Sequence, residues 1–390
     1  MKGPILTLNA GSSSLKFALF EPGATPVAGP KGVIDETFSA PRMITKDPSG
    51  RQTSERIFPK VMPFPELVRE VIGWAESQYK TTLGAVGHRV VHGGSQFTTP
   101  QIVSEKLLAD LDALVALAPL HEPHNIAPMR YLTECNPNLP QVACFDTSFH
   151  RTMPMTATRF ALPLRFEEEG VRRYGFHGLS YEYIADRLHE IAPELAAGRV
   201  IAAHLGNGAS LCAMKNGQSI DTSMGFSALD GLVMGTRCGT LDPGVILHFM
   251  RRYGMGAAQI ESLLYNKSGL LGLSGLSPDM RTLFESKEAA AKDAVALFVF
   301  RLIREIGALA ASLGGLDALI FTAGIGEHSP EIRKMTCEGL GWLGLSIDDS
   351  ANARNDQRIS TSGSRVGVLV VPTDEEYMIA KHVARTLGVT

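Results

Sequence analysis

Residues Leu6–Phe20 read LTLNAGSSSLKFALF, with Leu6 and Leu8 and then Leu15, Phe17 and Leu19 alternating with small or polar neighbours. Alternation with period two marks strands, so the Gly/Ser cluster between the runs is a turn. The same plan recurs at Arg199–Gly217, RVIAAHLGNGASLCAMKNG, where Val200–Leu205 runs into the turn Gly206–Ser210 and a second strand follows. A strand–(small polar turn)–strand unit in each half points to two related domains. A chain of 390 residues is also too long for one ordinary core.

The first turn ends in a lysine, like a phosphate loop. That loop, however, needs glycine before the lysine, Ser or Thr after it, and then a helix. Here Leu15 and Phe17 flank Lys16 and a strand follows. Turn amides, the Ser12 and Ser14 hydroxyls, Asn9 and the Lys16 ammonium can still hold a phosphate or its magnesium. A plain polar hairpin turn with a snorkelling lysine is the equal alternative. The second turn favours the phosphate reading, because two such turns suit a nucleotide held between domains.

Bulk properties remove several other classes. A net charge of −3 without a dense Lys/Arg block leaves nucleic acid and anionic membranes no electrostatic footprint. Five scattered cysteines with no C-x-x-C pair argue against a disulfide framework or structural zinc, and for a cytoplasmic location. The apolar segment from 294 to 313 is interrupted by Arg301, Arg304 and Glu305, which makes it a core helix ending at Gly314-Gly315 rather than a membrane span. Ser104 and Ser180 are placed to cap two further helices. Strands interleaved with helices in both halves give an α/β class. Residues 22–65 read as loops and short strands.

Other candidates have ordinary readings beside the functional ones. Arg89 in GHRVVHGG and Arg237 in MGTRCGTLDPG sit among glycines, where a guanidinium reaches a small anion, or forms a structural ion pair. His88, His92, His121, His124, His150, His177 and His204 include no H-E-x-x-H pair, and Pro123 disturbs HEPH as a helical ligand pair. Asp146 ends the strand-like run QVACFD and either orients a metal-bound water or an arginine, or caps a turn. Glu375 opens the last helix, where an acid also suits the helix dipole.

Taken in order, LNAGSSSLKF, GHRVVHGG, FDTSFH, YGFHG, HLGNGAS, DTSMGF, MGTRCG, FTAGIGE and PTDEE resemble the acetokinase family, the acetate kinases of the actin–hexokinase–sugar kinase superfamily. The likeness runs from about residue 4 to residue 385. It implies two ribonuclease-H-like domains with an interdomain nucleotide cleft, divided as 1–148 plus 374–390 and 149–373. It also implies reversible, direct in-line phosphoryl transfer from ATP to acetate, giving ADP and acetyl phosphate, with Mg²⁺ or Mn²⁺ in its place. By the same resemblance Asn9 and Glu375 match metal-associated positions. Ser12, Ser14 and Lys16 match the first phosphate turn, and His204, Leu205, Gly206, Asn207 and Gly208 the second. Asp279, Met280 and Arg281, with Gly324, Ile325, Gly326, Glu327 and His328, match the adenosine side. Arg89 matches the substrate carboxylate partner, Val91, Leu120, Phe176 and Ala228 the acyl pocket, and Asp146, His177 and Arg237 the catalytic set. A homodimer binding only a small carboxylate and a nucleotide is implied, with no nucleic-acid or membrane partner.

The chain departs from that pattern at Ala228, where proline is common, and at Thr240, His328 and Asp374. The loss of the proline ring predicts more room for propionate, so a short-chain carboxylate kinase is the nearest alternative. A non-kinase ATPase of the same superfamily is the alternative from another class. An acceptor carboxylate is ionised near neutral pH and needs no general base, so Asp146 is read as an orienting group.

Overall fold

The computed structural model describes residues 2–11, 14–35, 40–59, 62–118 and 122–389. The chain forms two compact units, Met1–Phe149 with Asp374–Thr390, and His150–Thr373.

In the first unit, β1 (Ile5–Ala10) and β2 (Ser14–Glu21) pair antiparallel, Leu8 opposite Phe17, as the alternation predicts. The 22–65 stretch is more regular than its composition shows. It holds β3 (Val27–Asp35), β4 (Arg42–Lys46) and β5 (Gln52–Ile57), which extend the sheet as an antiparallel meander. Strand β5 is exposed at every residue, so no hydrophobic period betrays it. Beyond β1 lie β6 (Ala85–Val90), β7 (Gln101–Ile102) and β8 (Gln141–Phe145), giving the order β5-β4-β3-β2-β1-β6-β8-β7.

The second unit holds β9 (Arg199–Leu205), β10 (Ala209–Lys215), β11 (Gln218–Thr222), β12 (Ala318–Thr322) and β13 (Gly367–Val370), ordered β11-β10-β9-β12-β13. In each unit a three-strand antiparallel meander leads, through its first strand, to two further parallel strands: β3-β2-β1-β6-β8 and β11-β10-β9-β12-β13. The repeated hairpin is therefore the visible part of a repeated sheet, the ribonuclease-H-like plan.

Helix ends repay comparison with the sequence. Ser104 caps Glu105–Leu114, its hydroxyl accepting from Leu107 N at 3.2 Å. Ser180 does not cap. The helix Gly178–Ile191 starts two residues earlier, behind His177 in a left-handed conformation, and the Ser180 hydroxyl is turned to other work. Pro123 lies in the first turn of Glu122–Cys135, where a missing N–H is harmless; His121, the other half of the HEPH pair, lies outside the described residues. The GIG segment is itself part of the short helix Ala323–His328.

The last helix, Glu375–Thr386, packs on the first unit's sheet where β6 carries Gly87. A β-carbon there would fall 2.4 Å from Ile379 Cγ2 and 2.6 Å from Val383 Cγ2. That close approach sets the helix on β1 and β6 and brings its first residue to Asn9. Gly87→Ala is expected to cost about 1–3 kcal/mol by overpacking, read as a lower urea midpoint; an unchanged midpoint would show that the helix has room to move.

Candidate functional site

Two clusters of the expected residues form, one in each unit. In the first, the sheet register does the assembly. Leu8 pairs with His88 and Val90 with Phe145, so Asn9, Arg89 and Asp146 sit at neighbouring positions on three adjacent strands or just beyond them. Arg89 Nε donates to Asp146 Oδ1 at 3.2 Å and Oδ2 at 3.1 Å, and Nη2 donates to Oδ2 at 2.5 Å. Arg89 Nη1 donates to Asn9 Oδ1 at 3.1 Å. The Asn9 amide nitrogen then donates to Glu375 Oε2 at 3.0 Å and Glu376 Oε1 at 3.2 Å. Asp146 is fully buried and the Arg89 side chain is 15% exposed. Burial works against the Arg89 charge, but Asp146, Glu375 and Glu376 hold its pKa above the ordinary value.

Lys16 stands opposite Asn9 across the hairpin, exposed, and Ser14 closes the turn through its carbonyl, which accepts from Gly11 N at 2.8 Å. Ser12 and Leu120 lie outside the described residues. Val91 is buried, its N–H donating to Asn125 Oδ1 at 2.9 Å. Asp374 caps the last helix, accepting from Tyr377 N at 2.8 Å, so its carboxylate already has structural work. Sequence reasoning singled out Glu375 and not its neighbour Glu376, although PTDEE holds both.

In the second unit the turn Gly206–Gly208 is the organiser. A β-carbon built on Gly208 would lie 3.5 Å from His177 Nε2 and 3.6 Å from Arg237 Nη1, so one glycine borders both side chains. Arg237 Nη1 donates to the Ala228 carbonyl at 2.9 Å, and Gly235 N donates to Asn207 O at 3.0 Å, tying the arginine loop to the turn. His177 has φ 58°, a left-handed backbone that costs a non-glycine residue on the order of 1 kcal/mol and clusters at working sites. Its Nδ1 lies 2.8 Å from Ser210 Oγ, which in turn is 2.5 Å from the Tyr181 hydroxyl. The imidazole stacks on His204, ring centres 4.2 Å apart, and His204 Nδ1 lies 2.9 Å from Ser180 Oγ. Ser180 thus anchors the second histidine. Thr240 donates to Asp230 Oδ1 at 2.9 Å and so braces the loop.

A cavity of about 600 Å³ opens beside this turn, within the size range of small-molecule sites. Gly206, Asn207, Asp279, Met280, Arg281, Gly324, Ile325 and His328 line it, with Pro278, Phe284, Glu285, Ser329 and Glu331. Gly326 and Glu327, expected with them, face elsewhere. Glu327 Oε1 accepts from Ala323 N at 2.8 Å and Thr373 N at 3.2 Å, and the Gly326 carbonyl accepts from Arg333 at 2.9 Å. Arg333 is fully buried and donates five hydrogen bonds to Gly326, Glu327, Asn352 and Asn355, a support that the motif reading passed over.

A glycine turn that lines a nucleotide-sized cavity on one side and borders His177 and Arg237 on the other, in an α/β fold with repeated hairpins, suits a nucleotide-dependent transferase. A family model, the acetokinase family, matches residues 4–381, and the chain belongs to that family. It is 51% identical to an acetate kinase of Rhodopseudomonas palustris over 99% of this chain and 98% of the relative. It is 52% identical to an acetate kinase of Methylocella silvestris, over 97% and 96%. Among solved structures it resembles a propionate kinase from Francisella tularensis (TM-score 0.90, 35% identity, 97% of this chain and 98% of that one). It likewise resembles the acetate kinase of Porphyromonas gingivalis (TM-score 0.87, 36% identity, 99% and 100%).

Close to the first cluster lies a buried acid that the HEPH string gave no reason to single out. Glu122 Oε1 accepts from His92 N at 2.7 Å, and Oε2 has no hydrogen-bond partner among the described residues. Burial, with the Asp146 charge adding, pushes its pKa up to about 8, against the His92 N–H that lowers it. Between pH 4.5 and 8 the unfolded chain releases this proton and the folded chain keeps it, so Glu122 costs stability progressively as pH rises. His88, His92 and His150 work with the opposite sign: burial lowers them to about 3, 4 and 4, so stability is lost as pH falls below 6.5. Glu122→Gln is therefore expected to match the parent near pH 5 and to exceed it by on the order of 3 kcal/mol at pH 8. Urea midpoints across that range test it; a pH-independent difference would contradict a protonated Glu122.

Proposed function

We propose that the chain transfers the γ-phosphoryl group of ATP to acetate, reversibly and in line, giving ADP and acetyl phosphate. One observation carries this reading. A single glycine turn both lines the nucleotide-sized cavity, through Gly206 and Asn207, and borders His177 and Arg237, through Gly208. Cationic and N–H donors beside the end of a nucleotide site are what a transferring phosphoryl group requires, because its three equatorial oxygens carry the developing charge.

The acceptor is read from the first cluster. Asp146 takes the Nε side of the Arg89 fork and Asn9 takes one N–H of Nη1, which leaves one N–H on each terminal nitrogen beyond these bonds. That pair matches the two oxygens of a carboxylate. Asp146 orients the guanidinium, and an acceptor already ionised near neutral pH asks for no proton acceptor.

Magnesium fits the donor chemistry. Asn9 and Glu375 offer hard oxygen ligands, and Mg²⁺ takes few of these from protein when phosphates and waters supply the rest. Among the described residues no three His, Cys, Asp or Glu side chains converge as a closed metal cage. When bound, Mg²⁺ would supply charge neutralisation at the β- and γ-phosphates. A homodimer is part of the same reading; the helix Pro243–Tyr253 buries none of its residues and leaves Leu247, Met250 and Tyr253 exposed to a second copy. A cytoplasmic location is part of the same reading, which the scattered cysteines of the sequence favour; no described helix is long and apolar enough to cross a membrane.

Propionate is the second acceptor, favoured by Ala228 and by the likeness to a propionate kinase. An extra methylene changes discrimination by only about 1–3 kcal/mol. Incubation with ATP, Mg²⁺ and acetate, propionate or butyrate, trapping acyl phosphate as the hydroxamate, is expected to give acetate first and propionate second. No hydroxamate with ATP hydrolysis intact would reduce the chain to an ATPase.

Two arginine variants separate the clusters. Arg237→Ala is expected to lower kcat by about 10³ or more, the usual loss for a charge-neutralising arginine. Arg89→Lys keeps a cation beside buried Asp146 while removing the fork, so it should raise the acetate KM and leave the ATP KM alone. An unchanged acetate KM would overturn the carboxylate assignment.

A further inference from the structure

His150, the first residue of the second unit, is buried with 2% exposure, and no step above uses it. Its ring nitrogens lie 3.0 Å from the Phe176 carbonyl (Nε2) and 2.8 Å from Ser219 Oγ (Nδ1). A carbonyl only accepts, so Nε2 carries the hydrogen; in the neutral ring Nδ1 then accepts from the serine hydroxyl. Ser219 is itself buried on β11 and receives Cys212 Sγ at 3.4 Å. Burial lowers the imidazole to about 4, which keeps this tautomer in place near neutral pH.

The ring also shapes the backbone that leads to His177. A β-carbon on Gly175, whose φ is +78°, would lie 2.6 Å from His150 Cδ2 and 2.7 Å from Cγ. The imidazole meets Tyr181 edge-on, ring centres 5.8 Å apart, and the Tyr181 hydroxyl shares Ser210 with His177 Nδ1. Thus one buried ring touches the segment ahead of His177 and, through Tyr181, the serine that holds His177 from behind.

We propose that His150 is a positioning residue for phosphoryl transfer: by donating from Nε2 to the Phe176 carbonyl while anchored on Ser219, it sets where Phe176 and His177 stand. This rests on reading Phe176 and His177 as parts of the acyl pocket and the charge-stabilising set. Misplacing a reacting group by about 1 Å can cost 10²-fold, so a support this close has a measurable kinetic share.

Two near-isosteric variants divide its hydrogen bonds. His150→Gln can place an amide N–H where Nε2 stood, keeping the Phe176 donation. His150→Asn reaches only the Nδ1 position, keeping Ser219 and leaving the Phe176 carbonyl without its donor. Thermal midpoints, kcat, and the propionate-to-acetate ratio of kcat/KM are measured for both. The expected result is a kcat for His150→Asn about tenfold or more below that of His150→Gln, in the range such displacements produce. The acid ratio should shift in the asparagine variant alone, with similar midpoints for the two. Equal kinetics in the two variants, or kcat losses that merely follow the midpoints, would overturn the proposal. If neither folds, Ser219→Ala carries the test: loss of its anchor should lower kcat without raising the ATP KM, and unchanged kcat would overturn the proposal. His177→Ala serves as the control; unchanged turnover there would overturn the site reading instead.

Discussion

Arg89 is a cation held almost out of water, and most of the first unit's site is arranged around that fact. A buried charge is tolerated only when paired and hydrogen-bonded. Asp146 supplies the counter-charge from the end of β8, and Asn9 supplies a neutral acceptor from the end of β1. Asn9 must then place its own amide protons, and it gives them to Glu375 and Glu376 at the start of the last helix. The chain's last segment is thereby tied to its first strand, with Gly87 granting the closeness that the tie demands. One guanidinium thus fixes the positions of the residues expected to meet a carboxylate and a metal.

The second unit solves a different problem. Its working groups include imidazoles, whose usefulness depends on which nitrogen carries hydrogen. A serine hydroxyl meets each Nδ1, Ser210 at His177, Ser180 at His204 and Ser219 at His150; a hydroxyl can donate or accept, so it is the Phe176 carbonyl on His150 Nε2 that fixes a tautomer. Nε2 is the other ring nitrogen in each case: for His177 it borders Gly208 beside Arg237, and for His150 it meets the Phe176 carbonyl. The left-handed backbone at His177 persists because stacking on His204 and the Ser210 bond hold the ring on both sides.

Much of this was legible in the sequence, for a physical reason. Strand–turn–strand units have a short period and glycine punctuation, so both hairpins and the α/β class could be read directly. Strand β5 could not, because every residue of it is exposed and it survives on ladder bonds to β4. Arg89, Asp146, Asn9 and Glu375 were legible as candidates, but their mutual bonding depends on register between strands 80 residues apart, which no local pattern encodes. Ser180 is instructive: a serine near a helix start reads as a cap, yet its hydroxyl is spent on His204 and Thr373, and His177 takes the N-terminal position with a backbone that sequence gives no reason to expect. Glu122 and Glu376 stand inside HEPH and PTDEE, but nothing in those strings singles them out; their interest lies in burial and neighbours.

Two buried or nearly buried arginines show how donor accounting separates support from function. Arg333 spends Nε, Nη1 and Nη2 on Asn352, Gly326, Glu327 and Asn355, five bonds for five N–H groups. Nothing is left to offer a ligand, and its charge is answered by amide and carbonyl dipoles at the end of the helix Ala323–His328, so its work is to hold that cavity wall. Arg89 spends three of its five on Asp146 and Asn9 and keeps one on each terminal nitrogen. A saturated guanidinium gains nothing when a substrate arrives. An unsaturated one, already desolvated and aimed by a buried carboxylate, gains two charge-assisted bonds without first giving up a shell of water, which is the preorganisation that binding a small acid requires.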